Sequence, residues 1–124
     1  MQKLENYQGV RMIKVLDLKN IKLARINNKF IVARGRLCLN SEYRKFKKII
    51  SLSCSKTEIE PPYNVMIECS TACDIDAHVK PILDGINKVA ITDDKDIKTL
   101  IVTKHRIKRG ELGSVKVFVE HCEN

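Results

Sequence analysis

The chain has 124 residues and a formal net charge of +8, with 44% hydrophobic and 31% charged residues. This length and composition argue against a disordered chain and predict one globular domain with a modest core. No stretch approaches the roughly 18 consecutive apolar residues of a transmembrane helix, so no membrane span is expected.

The charge is divided unevenly along the chain. Residues 1–56 carry 14 basic and 3 acidic side chains, whereas residues 57–124 carry 9 basic and 12 acidic ones. This division is expected when one part of a protein holds phosphates and another holds cations. A solubilising surface charge is the alternative interpretation.

The cysteines indicate the compartment. There are five, an odd number, and none forms a C-x-x-C pair. Residues 1–10 lack the apolar core of a signal peptide. We therefore expect reduced thiols in a cytoplasmic protein.

The chain begins with predicted β-structure. Residues 1–9 are expected to be a loose terminus, and residues 11–19 are rich in Val, Ile, Leu and Met, as in a strand. Residues 30–33 and 37–39 flank Gly35 and predict a hairpin. Basic side chains are concentrated around it: Arg25, Lys29, Arg34 and Arg36. They indicate either an arm that contacts DNA or a solvated hairpin.

A basic amphipathic helix is predicted next, over about residues 41–54, with Asn40 or Ser41 as its cap. One face is apolar, formed by Tyr43, Phe46, Ile49, Ile50 and Cys54. The remainder is basic, formed by Arg44, Lys45, Lys47 and Lys48. With only Glu42 as a nearby carboxylate, this face favours contact with phosphates over simple hydration.

The second half of the chain predicts a strand over 64–69, a helix over about 77–90 and strands over 97–104 and 115–120. Pro81 places the helix start near residues 77–79, because proline is tolerated in the first turn. The predicted fold class is α+β. It is a single domain, a mixed β-sheet of about five to six strands packed with two helices, in the order β-β-β-α-β-α-β-β.

Residues 73–96 form an acidic island in this basic chain. It contains three lysines and six aspartates: Asp74, Asp76, Asp84, Asp93, Asp94 and Asp96. A basic surface that holds a polyanion, with carboxylates that hold divalent metal ions, accounts for both features.

The spacing of the carboxylates leaves two interpretations. Asp74 and Asp76 precede the predicted helix, and in extended backbone both would point to one side and share a cation. Lys80 would then neutralise a phosphate or orient a water. Alternatively, Asp74 caps the helix while Lys80 and Asp84 form a surface ion pair.

The motif Asp74-Ile-Asp76-Ala-His-Val-Lys80-Pro-Ile-Leu-Asp84, followed by Asp93-Asp94-Lys-Asp-Ile97, resembles the RusA family of Holliday junction resolvases. The usual form of that family is D-x-D-N-x-x-K-x-x-x-D, a helix, and then D-D-x-x-[IV]; Ala77 stands at its Asn position. A looser match lies upstream, in Asn27-Asn28-Lys29-Phe30, Gly35-Arg36 and Ser41-Glu42-Tyr43-Arg44.

The resemblance implies a small, homodimeric endonuclease that depends on Mg²⁺, with Mn²⁺ as the alternative, and cuts four-way DNA junctions symmetrically. It implies that Asp74, Asp76 and Asp94 are catalytic metal ligands, that Lys80 supports catalysis and that Asp93 is a further metal ligand. A nucleoid-associated protein, or one encoded by a virus or prophage, would fit the family. With the basic segments, the predicted DNA-binding set is Arg25, Asn28, Lys29, Arg34, Arg36, Arg44, Lys47, Lys48 and Lys80.

Helix length predicts a shared site. A helix over residues 77–89 would be about 20 Å long. It would separate Asp74 and Asp76 from Asp93 and Asp94, and the three residues after it recover at most about 10 Å. We therefore expect the active site to be shared between the two subunits of a dimer.

Two rival functions remain open. A related metal-dependent nuclease would cut flaps or forks with the same carboxylates. A catalytically silent DNA- or RNA-binding protein would use its aspartates only as caps and in ion pairs.

Overall fold

The computed structural model describes residues 4–7, 10–25, 30–33 and 36–123. Its elements, in chain order, are β1 (Leu4–Tyr7), β2 (Val10–Ile21), β3 (Phe30–Ala33), β4 (Arg36–Leu39), α1 (Ser41–Ser53), β5 (Tyr63–Thr71), α2 (Val79–Ile86), β6 (Ile97–Arg106) and β7 (Gly113–His121). A short 3₁₀ turn over Asp94–Asp96 precedes β6. No described helix has both the length and the apolar character needed to cross a bilayer.

The strands form one mixed sheet and one separate hairpin. The main sheet has the order β1-β2-β7-β5-β6, in which β5 and β6 are parallel and the other pairs are antiparallel. The chain crosses from β5 to β6 through α2, as a parallel pair requires. β3 and β4 pair only with each other in the described structure.

The core lies between one face of the sheet and the two helices. Alternate residues of β5 and β7 are fully buried and pack against Phe46 and Ile50 of α1 and Ile82 and Ile86 of α2. Asn40 caps α1 by accepting a hydrogen bond from the Glu42 N–H at 2.8 Å. The helices approach closely, since a Cβ on Gly85 would stand 2.4 Å from the side chain of Ile50.

The α+β class, both helices and the hairpin strands are confirmed. The strand arrangement differs from the prediction in two ways. The hairpin does not join the main sheet, where only four of the predicted strands pair: β2, β7, β5 and β6. The prediction of a loose terminus is wrong for Leu4–Tyr7, which extend the edge of the sheet beside β2. Four strands, rather than three, therefore precede α1.

Helix α2 is shorter than predicted. It ends at Ile86, and Asn87 is already extended. Lys88 has a φ of +65°, and its N–H donates to the Ile91 carbonyl at 2.7 Å, so the chain turns back. Ala90 is buried although it is not helical. The apolar spacing therefore continued through the turn and made the helix look longer than it is.

Candidate active site

Asp74 and Asp76 lie in the connection between β5 and α2. The Ala77 N–H donates to the Asp74 carbonyl at 3.0 Å, so residues 74–77 form a tight turn, the carboxylate turn. The extended backbone expected for this pair is therefore wrong. The helix start is confirmed, because α2 begins at Val79 and Pro81 occupies its first turn.

Both side chains of this pair are solvent-exposed. Within the described part of the chain, neither carboxylate has a hydrogen bond or an ion pair. Asp74 does not cap α2 either, since the N-cap residue is His78 and it makes no side-chain capping bond. Four carboxylate oxygens are thus available to a ligand at the start of this helix.

The neighbouring backbone is fixed by buried or partly buried side chains. The Lys104 ammonium, on β6, donates to the Cys73 carbonyl at 2.6 Å. The Thr71 hydroxyl, at the end of β5, accepts the Cys73 N–H at 3.0 Å. Both backbone polar groups of Cys73, the residue that precedes Asp74, are therefore hydrogen-bonded, which fixes the chain as it enters the carboxylate turn.

A second group of charges surrounds Lys80. Its ammonium donates to Asp94 at 2.6 Å and lies 3.2 Å from Asp84. The Tyr43 hydroxyl of α1 donates a short hydrogen bond to the same Asp84 carboxylate. This Tyr43–Asp84–Lys80–Asp94 network joins α1, the first turns of α2 and the 3₁₀ turn. The ion pair expected between Lys80 and Asp84 is present, and Asp94 extends it.

The network raises the pKa values of Lys80 and Tyr43. The hydrogen bond to Asp94 raises the pKa of Lys80, with Asp84 contributing in the same direction. Burial raises the pKa of Tyr43 above its ordinary value, and the Asp84 carboxylate raises it further. Both groups therefore remain protonated at neutral pH.

The remaining aspartates of the island make local contacts. Asp93 accepts the Lys95 N–H at 3.1 Å, and this bond is the main cause of the lowered pKa of Asp93. Asp96 accepts the Thr92 hydroxyl at 2.8 Å. One oxygen of Asp93, predicted as a metal ligand, is therefore used to cap the 3₁₀ turn.

The helix length on which the shared-site prediction depended is wrong, whereas the sharing itself stays a prediction. Helix α2 has eight residues, or about 12 Å, and the turn after it brings Asp94 back to Lys80 of the same chain. Asp94 thus lies against the side chain of Lys80, in the first turn of α2.

A cleft of about 920 Å³ adjoins the carboxylate turn. Asp74 and Asp76 line it together with three basic residues: Lys22, Arg25 and Arg109. Lys22 and Arg25 follow β2, and Arg109 belongs to the loop between β6 and β7. Tyr43 also lines the cleft, whereas Lys80, Asp84 and Asp94 are not among its lining residues. Carboxylates and guanidinium groups therefore share one open cavity.

Apart from Lys80, which lies between Asp84 and Asp94, the predicted DNA-binding residues divide into three groups. Arg25 lines the cleft, whereas Arg44, Lys47 and Lys48 are exposed on α1 and are not among its lining residues. Asn28, Lys29 and Arg34 lie outside the described residues, and the structure describes Arg36 only as the first backbone position of β4.

Sequence reasoning missed Lys22 and Arg109 as cleft residues. The available signal was the pair Arg109-Gly110, which predicts a turn and also places a basic side chain on it.

The described residues contain no group of three or more His, Cys, Asp or Glu side chains placed to hold a metal ion. Mg²⁺ does not require one, because it is commonly bound by one or two carboxylates, substrate phosphates and water. The unpaired Asp74 and Asp76 carboxylates fit that requirement.

A comparison with protein-family models finds no match for this chain, and a comparison with curated proteins finds none either. A functional assignment therefore depends on the residues of the cleft themselves.

Proposed function

We propose that this protein is a Mg²⁺-dependent endodeoxyribonuclease that resolves four-way DNA junctions by paired, symmetric incisions in recombination and repair. The observation that carries the proposal is the pair of exposed, unpartnered carboxylates, Asp74 and Asp76, in a cleft that Lys22, Arg25 and Arg109 also line. A cleft that combines exposed carboxylate oxygens with basic side chains suits a phosphodiester together with a divalent ion.

Asp74 and Asp76 would hold the metal ion, with Mn²⁺ as an alternative to Mg²⁺. When bound, the ion supplies an activated water and neutralises charge that develops on the phosphodiester. The anchored Cys73 peptide keeps the two carboxylates in place, so little reorganisation is needed when the DNA arrives.

Lys22, Arg25 and Arg109 would hold backbone phosphates in the cleft. Such contacts carry little sequence information, so the protein should select DNA by shape. The basic face of α1, with Arg44, Lys47 and Lys48, would extend this surface to a second DNA arm.

Lys80 would assist at the scissile phosphate. Its side chain is 45% exposed, yet Asp84 and Asp94 hold its ammonium group through ion pairs. Asp94 would serve the same site, as a ligand that exchanges its contact with Lys80 for one with the metal ion.

A homodimer belongs to this proposal, because two incisions related by a two-fold axis match the symmetry of a four-way junction. The proximity of Asp94 to Lys80 favours a complete site in each chain over a site shared between subunits.

One observation favours a different function, that of a catalytically silent nucleic-acid-binding protein. The ion pairs of Lys80 account for Asp84 and Asp94 without any metal. A flap or fork nuclease is the third candidate, since its chemistry would be the same.

Cleavage assays on a synthetic four-way junction, a flap and a plain duplex, each with Mg²⁺ and with EDTA, separate these functions. A junction resolvase nicks the junction symmetrically and only with Mg²⁺. Preferential cutting of the flap would support the flap nuclease, and binding without cutting would support the silent protein. Asp74→Asn is the matched variant, since it should keep DNA binding and lose cleavage.

A further inference from the structure

We infer that His78 is a positioning residue that fixes the basic segment, residues 22–25, onto the carboxylate turn, so that the phosphate-binding and metal-binding parts of the cleft move as one unit. This inference rests on the proposed function for its consequence in DNA binding, but its structural content can be measured without DNA.

His78 is a buried polar side chain, with 2% of its surface exposed. Both ring nitrogens are bonded. Nδ1 lies 2.7 Å from the Ala24 carbonyl oxygen, and Nε2 lies 2.7 Å from the Thr71 hydroxyl. A buried histidine with two satisfied nitrogens holds its neighbours in place, because breaking either bond leaves a polar group unpaired in the interior.

The partners determine the direction of each hydrogen bond. A carbonyl oxygen can only accept, so Nδ1 carries the proton and donates to Ala24. In the neutral ring Nε2 is then the acceptor, and the Thr71 hydroxyl donates to it. Thr71 in turn accepts the Cys73 N–H at 3.0 Å. A directed chain thus runs from Cys73, through Thr71 and His78, to Ala24.

The two ends of this chain are the two chemical halves of the cleft. Cys73 precedes Asp74, and Ala24 precedes Arg25. Residues 22–25 have no regular secondary structure, and His78 donates a side-chain hydrogen bond to their backbone. Leu23 and Ala24 also pack against the core, so the ring supplies the polar contact that ties this segment to the carboxylate turn.

Two amide substitutions of different length separate the two hydrogen bonds of His78. In His78→Asn, the amide group stands near the position of Nδ1 and can still donate to Ala24. In His78→Gln, the amide group stands near the position of Nε2 and retains only the Thr71 contact. His78→Leu removes both. Thr57→Val is a matched control, because it removes partly buried hydrogen bonds to the Ala90 carbonyl and from the Ile59 N–H, neither of which involves a residue of the cleft.

The DNA-free experiment is a measurement of backbone ¹⁵N order parameters at Ala24 and Arg25. The wild type, His78→Asn and Thr57→Val should give values near 0.85, typical of a rigid backbone, whereas His78→Leu and His78→Gln should fall below about 0.6. Rigid values in His78→Leu would overturn the inference. Low order parameters in His78→Asn together with high ones in His78→Gln would also overturn it, because the rigidity of Ala24 and Arg25 would then depend on the Thr71 contact alone.

The functional experiment combines these variants with Arg25→Gln and measures four-way-junction binding with Ca²⁺ in place of Mg²⁺. His78→Leu should weaken binding about tenfold, the loss expected for about one misplaced charged contact, and His78→Asn should restore most of it. Arg25→Gln should weaken junction binding when it is introduced into the wild type or into His78→Asn. It should cause little further loss of binding in His78→Leu. Additive losses would overturn the coupling. If the wild type binds no junction, the proposed function fails while the order parameters still decide the role of His78.

Discussion

The Lys80 ammonium donates to the Asp94 carboxylate of the same chain at 2.6 Å. The two residues are 14 positions apart, and this bond closes the loop formed by α2 and the turn that follows it. It brings Asp94 to Lys80, in the first turn of α2. In the proposed function, this contact favours a site that is completed within one chain.

Mixing two inactive variants tests that conclusion. Asp74→Asn and Asp94→Asn should each lose cleavage, and heterodimers of the two should stay inactive, because each subunit would lack one ligand of its own site. Cleavage of a four-way junction by purified, differently tagged heterodimers is the measurement. Heterodimers of the wild type with Asp74→Asn, which keep one intact site, are the control. Recovery of cleavage in the mixture would instead support a shared site.

Removal of the Tyr43 hydroxyl should loosen the Lys80 network. Tyr43→Phe should lower the free energy of unfolding by about 1.5–3 kcal/mol, the usual range for a hydrogen bond to a charged group. It should also slow cleavage, because Asp84 would hold Lys80 less firmly. Urea unfolding and junction cleavage measure the two effects.

Tyr63→Phe is the control for this variant. Tyr63 is also fully buried, and its hydroxyl bonds to Ile59 and Thr92, outside the cleft. It should lower stability without slowing cleavage at a temperature where both variants are folded. Equal loss of cleavage in the two variants would assign the Tyr43 effect to stability alone.

Tyr43 also predicts a change of stability at alkaline pH. Its pKa is higher in the folded protein than the value of 10.0 expected in the unfolded chain, because of burial and Asp84. Between those two values the folded state holds the proton and the unfolded state loses it, so stability falls as pH rises. The stability advantage of wild type over Tyr43→Phe should be complete below pH 10 and should shrink above it. Urea unfolding at pH 8 and pH 11 measures it, and an advantage that grows with pH would contradict the assignment.

The cleft cations should determine the salt dependence of DNA binding. Each phosphate contact releases counterions and contributes about 0.9 to the slope of log K against log salt. Arg25→Gln and Arg109→Gln should each reduce that slope by about one. Lys19→Gln, at an exposed position of β2 that is not among the cleft residues, should leave it unchanged. Equal effects of all three would indicate a diffuse basic surface rather than a phosphate-binding cleft.

The start of α2 could be predicted from sequence and its end could not. Pro81 restricts where the helix begins, because it has no N–H to donate. The chain turns after the helix because Lys88 adopts a positive φ. Lysine seldom adopts this conformation, so the residue type does not predict it. The buried Ala90 follows the helical spacing and hides the turn. The shorter helix removes the geometric premise of the shared site, which stays a prediction.

Only part of the candidate site could be predicted from sequence, because the rest depends on contacts between distant segments. Carboxylates two positions apart, Asp74 and Asp76, could be recognised from their spacing, although the extended backbone predicted for them is a turn. Tyr43 was counted as a core residue, because its apolar face and its hydroxyl serve the core and the Lys80 network at once. His78 and Thr71 meet only after β5 and the carboxylate turn have formed, so no local pattern could identify them.

The central claim is that Asp74 and Asp76 hold a divalent metal ion at the cleft, and paramagnetic broadening by Mn²⁺ tests it most directly. Substoichiometric Mn²⁺ should first broaden the amide signals of residues 73–79 and of Asp94, and Mg²⁺ should reverse the broadening by competition. The double variant Asp74→Asn, Asp76→Asn should lose this effect while its remaining spectrum stays that of the folded protein. Broadening spread equally over acidic residues far from the cleft, such as Glu58 and Glu123, or unchanged in the double variant, would contradict the claim.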